Sequence, residues 1–390
     1  MSLTRTLTTA LTLAFLASLA PVRAEDEDPD FKGKKLSEWV DLLQNGEKVE
    51  KRRAGLIALR LIGPSKSRKV TPALIAAVRE NSMEAIRSGA AAVLGDFAAK
   101  AQNDDDIPLD KIRDALASGM RTDKASSVRE ACARALGNMK GRARAAAGDL
   151  TLALKDSHSG TRSQAASALS KLGKDAREAV NDLQTALKNT KLEALTRTYC
   201  ANALGRIGSP DALPAVPILK EVLADGKNST DLRKSCADAL GEMGKDAADA
   251  VPALAAALTD KDSDVALRRS CVEALDAMAG EARPGLTALR TALKDNDQFV
   301  RSFALHAISR MGGELGDDRK TAVLGIMACM DDNVLEVRVA AIEALGNLGP
   351  DGLGDSTKAA VDRLTGASRD PQKVISDAAK AALKKVQGMS

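Results

Sequence analysis

One tryptophan, one tyrosine and five phenylalanines are the only aromatic residues among 390, and there are only two histidines. A chain this poor in rings cannot line several aromatic pockets, and it offers little for unpaired bases to stack on. Charge points the same way. Lys and Arg number 57 against 53 Asp and Glu, a formal +4, a small excess for a nucleic-acid-binding protein. Nucleic acid is therefore not an expected partner. After the N-terminal leader, no apolar run approaches the roughly 18 residues of a membrane helix, so membrane insertion is not expected either. The sequence contains no Cys-x-x-Cys, haem-attachment motif, P-loop or nucleophile elbow. His158 and His306 have no His-Glu or His-x-x-x-His spacing. No catalytic residue, metal ligand or cofactor is assigned from these residues. Strand-like alternation of polar and apolar residues is missing as well, which leaves helices.

The first 24 residues read MSLTRTLTTALTLAFLASLAPVRA, with a basic start at Arg5, an apolar stretch from Leu7 to Leu19 and a small-residue cleavage site ending at Ala24. That is the pattern of a secretory signal peptide, so an exported, periplasmic or extracellular protein is expected. Loss of Arg5 and Arg23 with the leader lowers the formal +4 to +2. Residues 25–47 then read as an acidic tail (EDEDPD) and a capping helix that carries Trp39.

From residue 48 to residue 390 the chain repeats itself. RRAGLIAL at Arg52 is followed by related octets at Arg87, Arg129, Arg162, Arg197, Arg233, Arg268, Arg301 and Arg338, each with Leu or Ile seven residues after the arginine. SDAAKAAL at Ser376 is a tenth copy without the arginine. A period near 35 residues marks a stacked repeat architecture. Each unit holds two amphipathic helical patterns, one starting near the arginine and one such as AVPILKEVLAD (215–225). Gly137, Gly173, Gly208, Gly244 and Gly349 follow the first pattern, where a helix is expected to end. The expected fold is an all-α solenoid of nine to ten helix pairs. The longest step, 42 residues between Arg87 and Arg129, holds AAKAQNDDDIPLDK (98–111), which reads as a longer loop.

The helix pair and its R-x-x-A-x-x-A-L-G-x-x-G core resemble HEAT repeats, and among these the HEAT-like repeats of the phycobilisome-lyase family. The resemblance covers residues 48 to the C-terminus. It implies an interaction scaffold, or an accessory subunit of an enzyme assembly that contributes surface rather than catalytic groups. The absence of His-Glu pairs departs from the HEAT-type iron hydroxylases, so their chemistry does not carry over.

Two residue sets remain as candidates. Cys132, Cys200, Cys236 and Cys271 stand three residues after the repeat arginine, where other copies carry Gly or Ala. They read as small apolar fillers rather than activated thiols, and Cys329 reads likewise. The nine arginines, Arg52, Arg87, Arg129, Arg162, Arg197, Arg233, Arg268, Arg301 and Arg338, read as an inter-repeat ladder. Acidic or amide residues recur before them (Asp231, Asp264, Asp297, Glu336) and at the ends of second helices (Asp156, Asn189, Asp225, Asp260, Asp295). DKDSD (260–264) has Asp at alternate positions but lacks the Gly and Glu of a calcium loop, so a helix-capping turn is expected there. With second helices placed on the concave side, Gln184, Lys188, Lys220, Arg290 and Lys294 form a mild basic stripe. The expected function is a monomeric, non-catalytic scaffold that binds a protein partner along that stripe, whose charge would suit an acidic segment.

Overall fold

A computed structural model describes residues 28–64, 69–101 and 107–388. The leader and the NDDD run lie outside the described residues. The chain begins with a two-residue antiparallel pair, β1 (Asp30–Phe31) and β2 (Lys34–Lys35), too short for any alternation to announce it. The capping helix Leu36–Asn45 follows, and the Trp39 indole N–H donates to the carbonyl of Phe31 at 2.9 Å. From there on, helices of two kinds alternate to the end. No helix among the described residues is long and apolar enough to cross a membrane.

The arginine-bearing helices are Val49–Ile62, Glu84–Lys100, Ser126–Met139, Ser159–Leu172, Ala194–Ile207, Thr230–Met243, Val265–Ala277, Gln298–Arg310 and Leu335–Leu353, with Lys373–Val386 as the arginine-free tenth. Several start on a side chain that accepts an orphan backbone N–H. Asp264 takes Ala266 N at 2.7 Å, and Asp297 takes Phe299 N and Val300 N, both at 3.1 Å. The Leu or Ile seven residues after each arginine is fully buried, from Leu59 through Ile308 to Leu345. Gly208 and Gly244 end their helices at φ of 69° and 60°, which a side chain would resist.

Gly137 does something else. It lies inside its helix, and a Cβ there would come 3.1 Å from the Cα of Ala168 in the next repeat. Gly95, Gly205, Gly241 and Gly346 face Ala135, Ala239, Ala274 and Ala382 in the same way, at 2.7–3.1 Å. The arginine helices thus run almost backbone to backbone. The second helices, among them Leu109–Thr122, Val180–Lys188, Val216–Ala224, Val251–Thr259 and Leu286–Ala292, stand farther apart. Long side chains bridge them in ion pairs, Arg121–Asp149 at 2.9 Å, Lys155–Asp182 at 2.7 Å and Arg290–Asp318 at 3.2 Å. An array whose two rows differ in spacing curves toward the closer row. The arginine helices therefore form the inner row.

Every one of the nine arginines donates to a backbone carbonyl preceding its own helix. The acceptors are Gly46, Asn81, Asp123, Asp156, Leu187, Leu223, Ser263, Asp295 and Asp332, at 2.6–3.0 Å. Such carbonyls at a helix end have no partner within the helix. Seven of the nine also reach into the following turn. Arg87 takes Asp123, Arg129 takes Asp156, Arg268 takes Asp295 and Arg301 takes Asp332, each through two bonds of 2.6–3.1 Å. Arg52 and Arg197 take the amides Asn81 and Asn228, both near 3 Å, and Arg162 takes Glu193. Arg233 and Arg338 have no carboxylate within ion-pair distance among the described residues.

The carboxylates therefore come from the turn ahead, not from the residues just before the arginine. Asp264 and Asp297 are spent on helix caps. Asn189, Asp225 and Asp260 accept the N–H two residues on, each at 3.0 Å. Burial opposes the charge on Asp123, Asp156 and Asp332, yet the facing guanidinium and a backbone N–H hold each carboxyl below its ordinary range.

Candidate functional site: the inner face

On an arginine helix, residues one, five and nine after the arginine share one stripe, about one turn apart. That stripe faces away from the second helices and lines the inside of the curve. It carries Glu130, Arg134 and Asn138, then Thr198, Asn202 and Arg206, then Lys234, Asp238 and Glu242. Beyond these come Arg269 and Glu273, then His306 and Arg310, then Val339, Glu343 and Asn347.

Gln184, Lys188, Lys220, Arg290 and Lys294 do not belong to this surface. All lie on or at the end of second helices, hence on the outer row. Arg290 is paired there with Asp318. Two amphipathic helices of similar length look alike in sequence, and only the spacing of the rows tells inside from outside. The available signal was the Gly and Ala at the crossing points.

The middle of the inner face is densely charged. Lys234 pairs with Asp238 at 2.7 Å and Arg206 with Glu242 at 3.3 Å. Arg269 holds Asp297 through two bonds of 2.9 and 2.6 Å while its guanidinium lies 4.5 Å from the centre of the Phe299 ring. Asp276 is buried, with one carboxylate oxygen 2.8 Å from His306 Nδ1, a hydrogen-bonding distance, and the other 3.7 Å from Arg310. At this register position the other copies carry Gly95, Gly137, Gly205, Gly241 and Gly346, or Arg60, Ser170 and Ser309. A carboxylate at this position, found in no other arginine-bearing copy, was the one sequence signal for the Asp276–His306 pair, whose members are 30 residues apart. The nearby Ser309 hydroxyl donates to the carbonyl of His306, so its proton is committed to the helix.

All five cysteines are buried and unpaired. Burial pushes the thiols of Cys132, Cys200 and Cys271 up to about 12 and that of Cys329 to about 11; Cys236 is raised further. Burial there outweighs any neighbouring guanidinium. Among the described residues, no group of three or more His, Cys, Asp or Glu side chains is placed to hold a metal ion.

The model of the family described as HEAT repeats matches residues 113–193, 150–230, 193–276 and 216–309. The chain is a HEAT-repeat protein. A PBS lyase HEAT-like repeat also matches residues 337–370 of this HEAT protein. Among solved structures, an engineered protein superposes with a TM-score of 0.58 at 21% identity, over 91% of this chain and 99% of its own. Importin beta superposes with a TM-score of 0.62 at 16% identity, over 90% of this chain and 51% of its own. The HEAT protein thus spans about half the length of that importin. At these identities the likeness is one of fold. No curated protein matches.

Proposed function

We propose that this HEAT protein is a non-catalytic scaffold that holds a partner protein along the inner face of its arginine helices. One observation carries the reading. The inner row presents a stripe of mostly charged and polar side chains, half-exposed or exposed, on helices packed almost backbone to backbone. A rigid, curved surface of this kind offers many weak contacts in fixed register, as repeat arrays do for extended partners. The basic start, short apolar stretch and small-residue site of residues 1–24 support export, so the partner is sought outside the cytoplasm. A second reading, an accessory subunit of an enzyme assembly, draws on the PBS lyase HEAT-like match at 337–370.

The test is site-specific photo-crosslinking in the native host. A crosslinking residue is placed at Arg134, Thr198 or Glu343 on the inner row, or at Lys188 or Lys220 on the outer row. Crosslinks to one protein from the inner positions alone are expected. Crosslinks from the outer positions alone would overturn the reading.

A further inference from the structure

The groove between helices Thr230–Met243 and Val265–Ala277 combines shape, charge and exposed apolar surface at one joint of the inner face. It encloses about 640 Å³ and is lined by Lys234, Asp238, Glu242, Val265, Arg269 and Glu273. Its cations are already committed, Arg269 to Asp297 by two bonds and Lys234 to Asp238 by one of 2.7 Å. Glu242 shares the exposed Arg206 at 3.3 Å, and the exposed Glu273 has no ion-pair partner among the described residues. Negative charge is therefore in surplus in the groove. Burial holds the carboxyls of both Glu242 and Glu273 above the ordinary range, and the charge of Asp238 adds to it.

The rim is apolar. Val265 and Phe299 are 37% and 48% exposed. Phe299 is one of the few aromatic residues in the chain, and Arg269, fixed by Asp297, lies 4.5 Å from its ring centre. The ring is thereby held in place before any partner arrives. A positioned aromatic beside an Arg is the kind of anchor that concentrates binding energy in an interface.

We propose that this groove docks a Lys- or Arg-bearing segment of a partner protein. Its cation meets Glu273 and Glu242, and an apolar residue beside it covers Val265 and Phe299. The proposal rests on the inner-face reading above and narrows it to one joint and one sign of charge. That sign is opposite to the one suggested by the outer-row lysines. A cation entering here relieves the repulsion among Asp238, Glu242 and Glu273, whereas an acidic segment adds to it.

The probes are two amphipathic peptides of equal length and pattern, one of Lys and Leu and the other of Glu and Leu. Their binding to the protein lacking residues 1–24 is followed by fluorescence anisotropy at low and high salt. The Lys peptide is expected to bind, and E242K/E273K together to weaken it by about tenfold or more. K188E/K220E on the outer row serves as the control and is expected to change nothing. A cooperative melting transition shows that the variants, exposed at these positions, remain folded. The proposal is overturned if the Glu peptide binds as well, if neither peptide binds, or if E242K/E273K leaves binding of the Lys peptide unchanged. Inner-row crosslinks that persist in E242K/E273K, with no effect on peptide binding, would remove this groove and leave the scaffold reading standing.

Discussion

Asp295 joins two repeats at once: its carboxylate takes Arg268 Nε and Nη2 at 2.8 and 3.1 Å, and its carbonyl takes Arg301 at 2.7 Å. The same double use recurs at Asp123, Asp156 and Asp332. One residue thus sets the distance between successive arginine helices from both sides. The ladder contributes register more than bulk stability.

Asp295→Ala leaves the half-buried Arg268 without its carboxylate and also removes the acceptor for Asp297 N. A destabilisation of roughly 2 kcal/mol is expected, the cost of stranding a charged hydrogen-bonded group. Asp260→Ala is the control, because Arg233 does not use that carboxylate. Thermal melting followed by circular dichroism should show a clear drop for the first variant and a small one for the second. Equal drops would mean that the Arg268–Asp295 bonds contribute no stability of their own.

Acid should unfold the array through its ladder aspartates. The native carboxyls of Asp123, Asp156 and Asp332 lie below their ordinary values, so as pH falls the unfolded chain binds protons first. Stability then falls with pH. This contribution is whole above about pH 4, the ordinary carboxylate value, and is lost progressively below it. Glu242 and Glu273 act in the opposite sense, because raised native values let the folded protein take up protons first. Melting temperature against pH should therefore rise slightly on mild acidification and drop steeply below about pH 4. Asp123→Asn should make the acid limb shallower, and Glu242→Gln with Glu273→Gln should flatten the mild rise.

The thiols should be silent in the native protein. Burial holds Cys132, Cys200 and Cys271 at about 12, so almost no thiolate exists at neutral pH. A thiol-specific chromogenic reagent should report five reactive groups after denaturation and close to none before it. Fast native labelling of Cys236 would contradict its place in the slot between helices.

Close packing of the inner row predicts an asymmetry among the glycines. A Cβ on Gly205 would come 2.7 Å from the Cα of Ala239, whereas one on Gly226 meets nothing within 4 Å. Gly205→Ala should cost roughly 1–3 kcal/mol by forcing the helices apart. Gly226→Ala should stay within about 0.5 kcal/mol of the parent. Urea unfolding midpoints decide the matter, and a tolerated Gly205→Ala would mean the rows can separate at little cost.

The repeat, its two helices, the buried Leu of each copy and the position of the arginines followed from the sequence alone, because periodicity and side-chain type are local properties that each copy restates. The thiols' burial followed in the same way, since a slot that takes Gly, Ala or Cys in different copies must be small. Which row faces inward did not follow. Helices such as Val216–Ala224 and Thr230–Met243 are both amphipathic, and curvature arises from the difference in row spacing accumulated over the array. Nor did the partners of the arginines, since Asp260 and Asp295 occupy equivalent turns and only Asp295 is within reach of its arginine. Contacts across about 30 residues depend on how helices pack, and that moved the candidate surface from Lys188 and Lys220 to Glu242, Glu273 and Phe299.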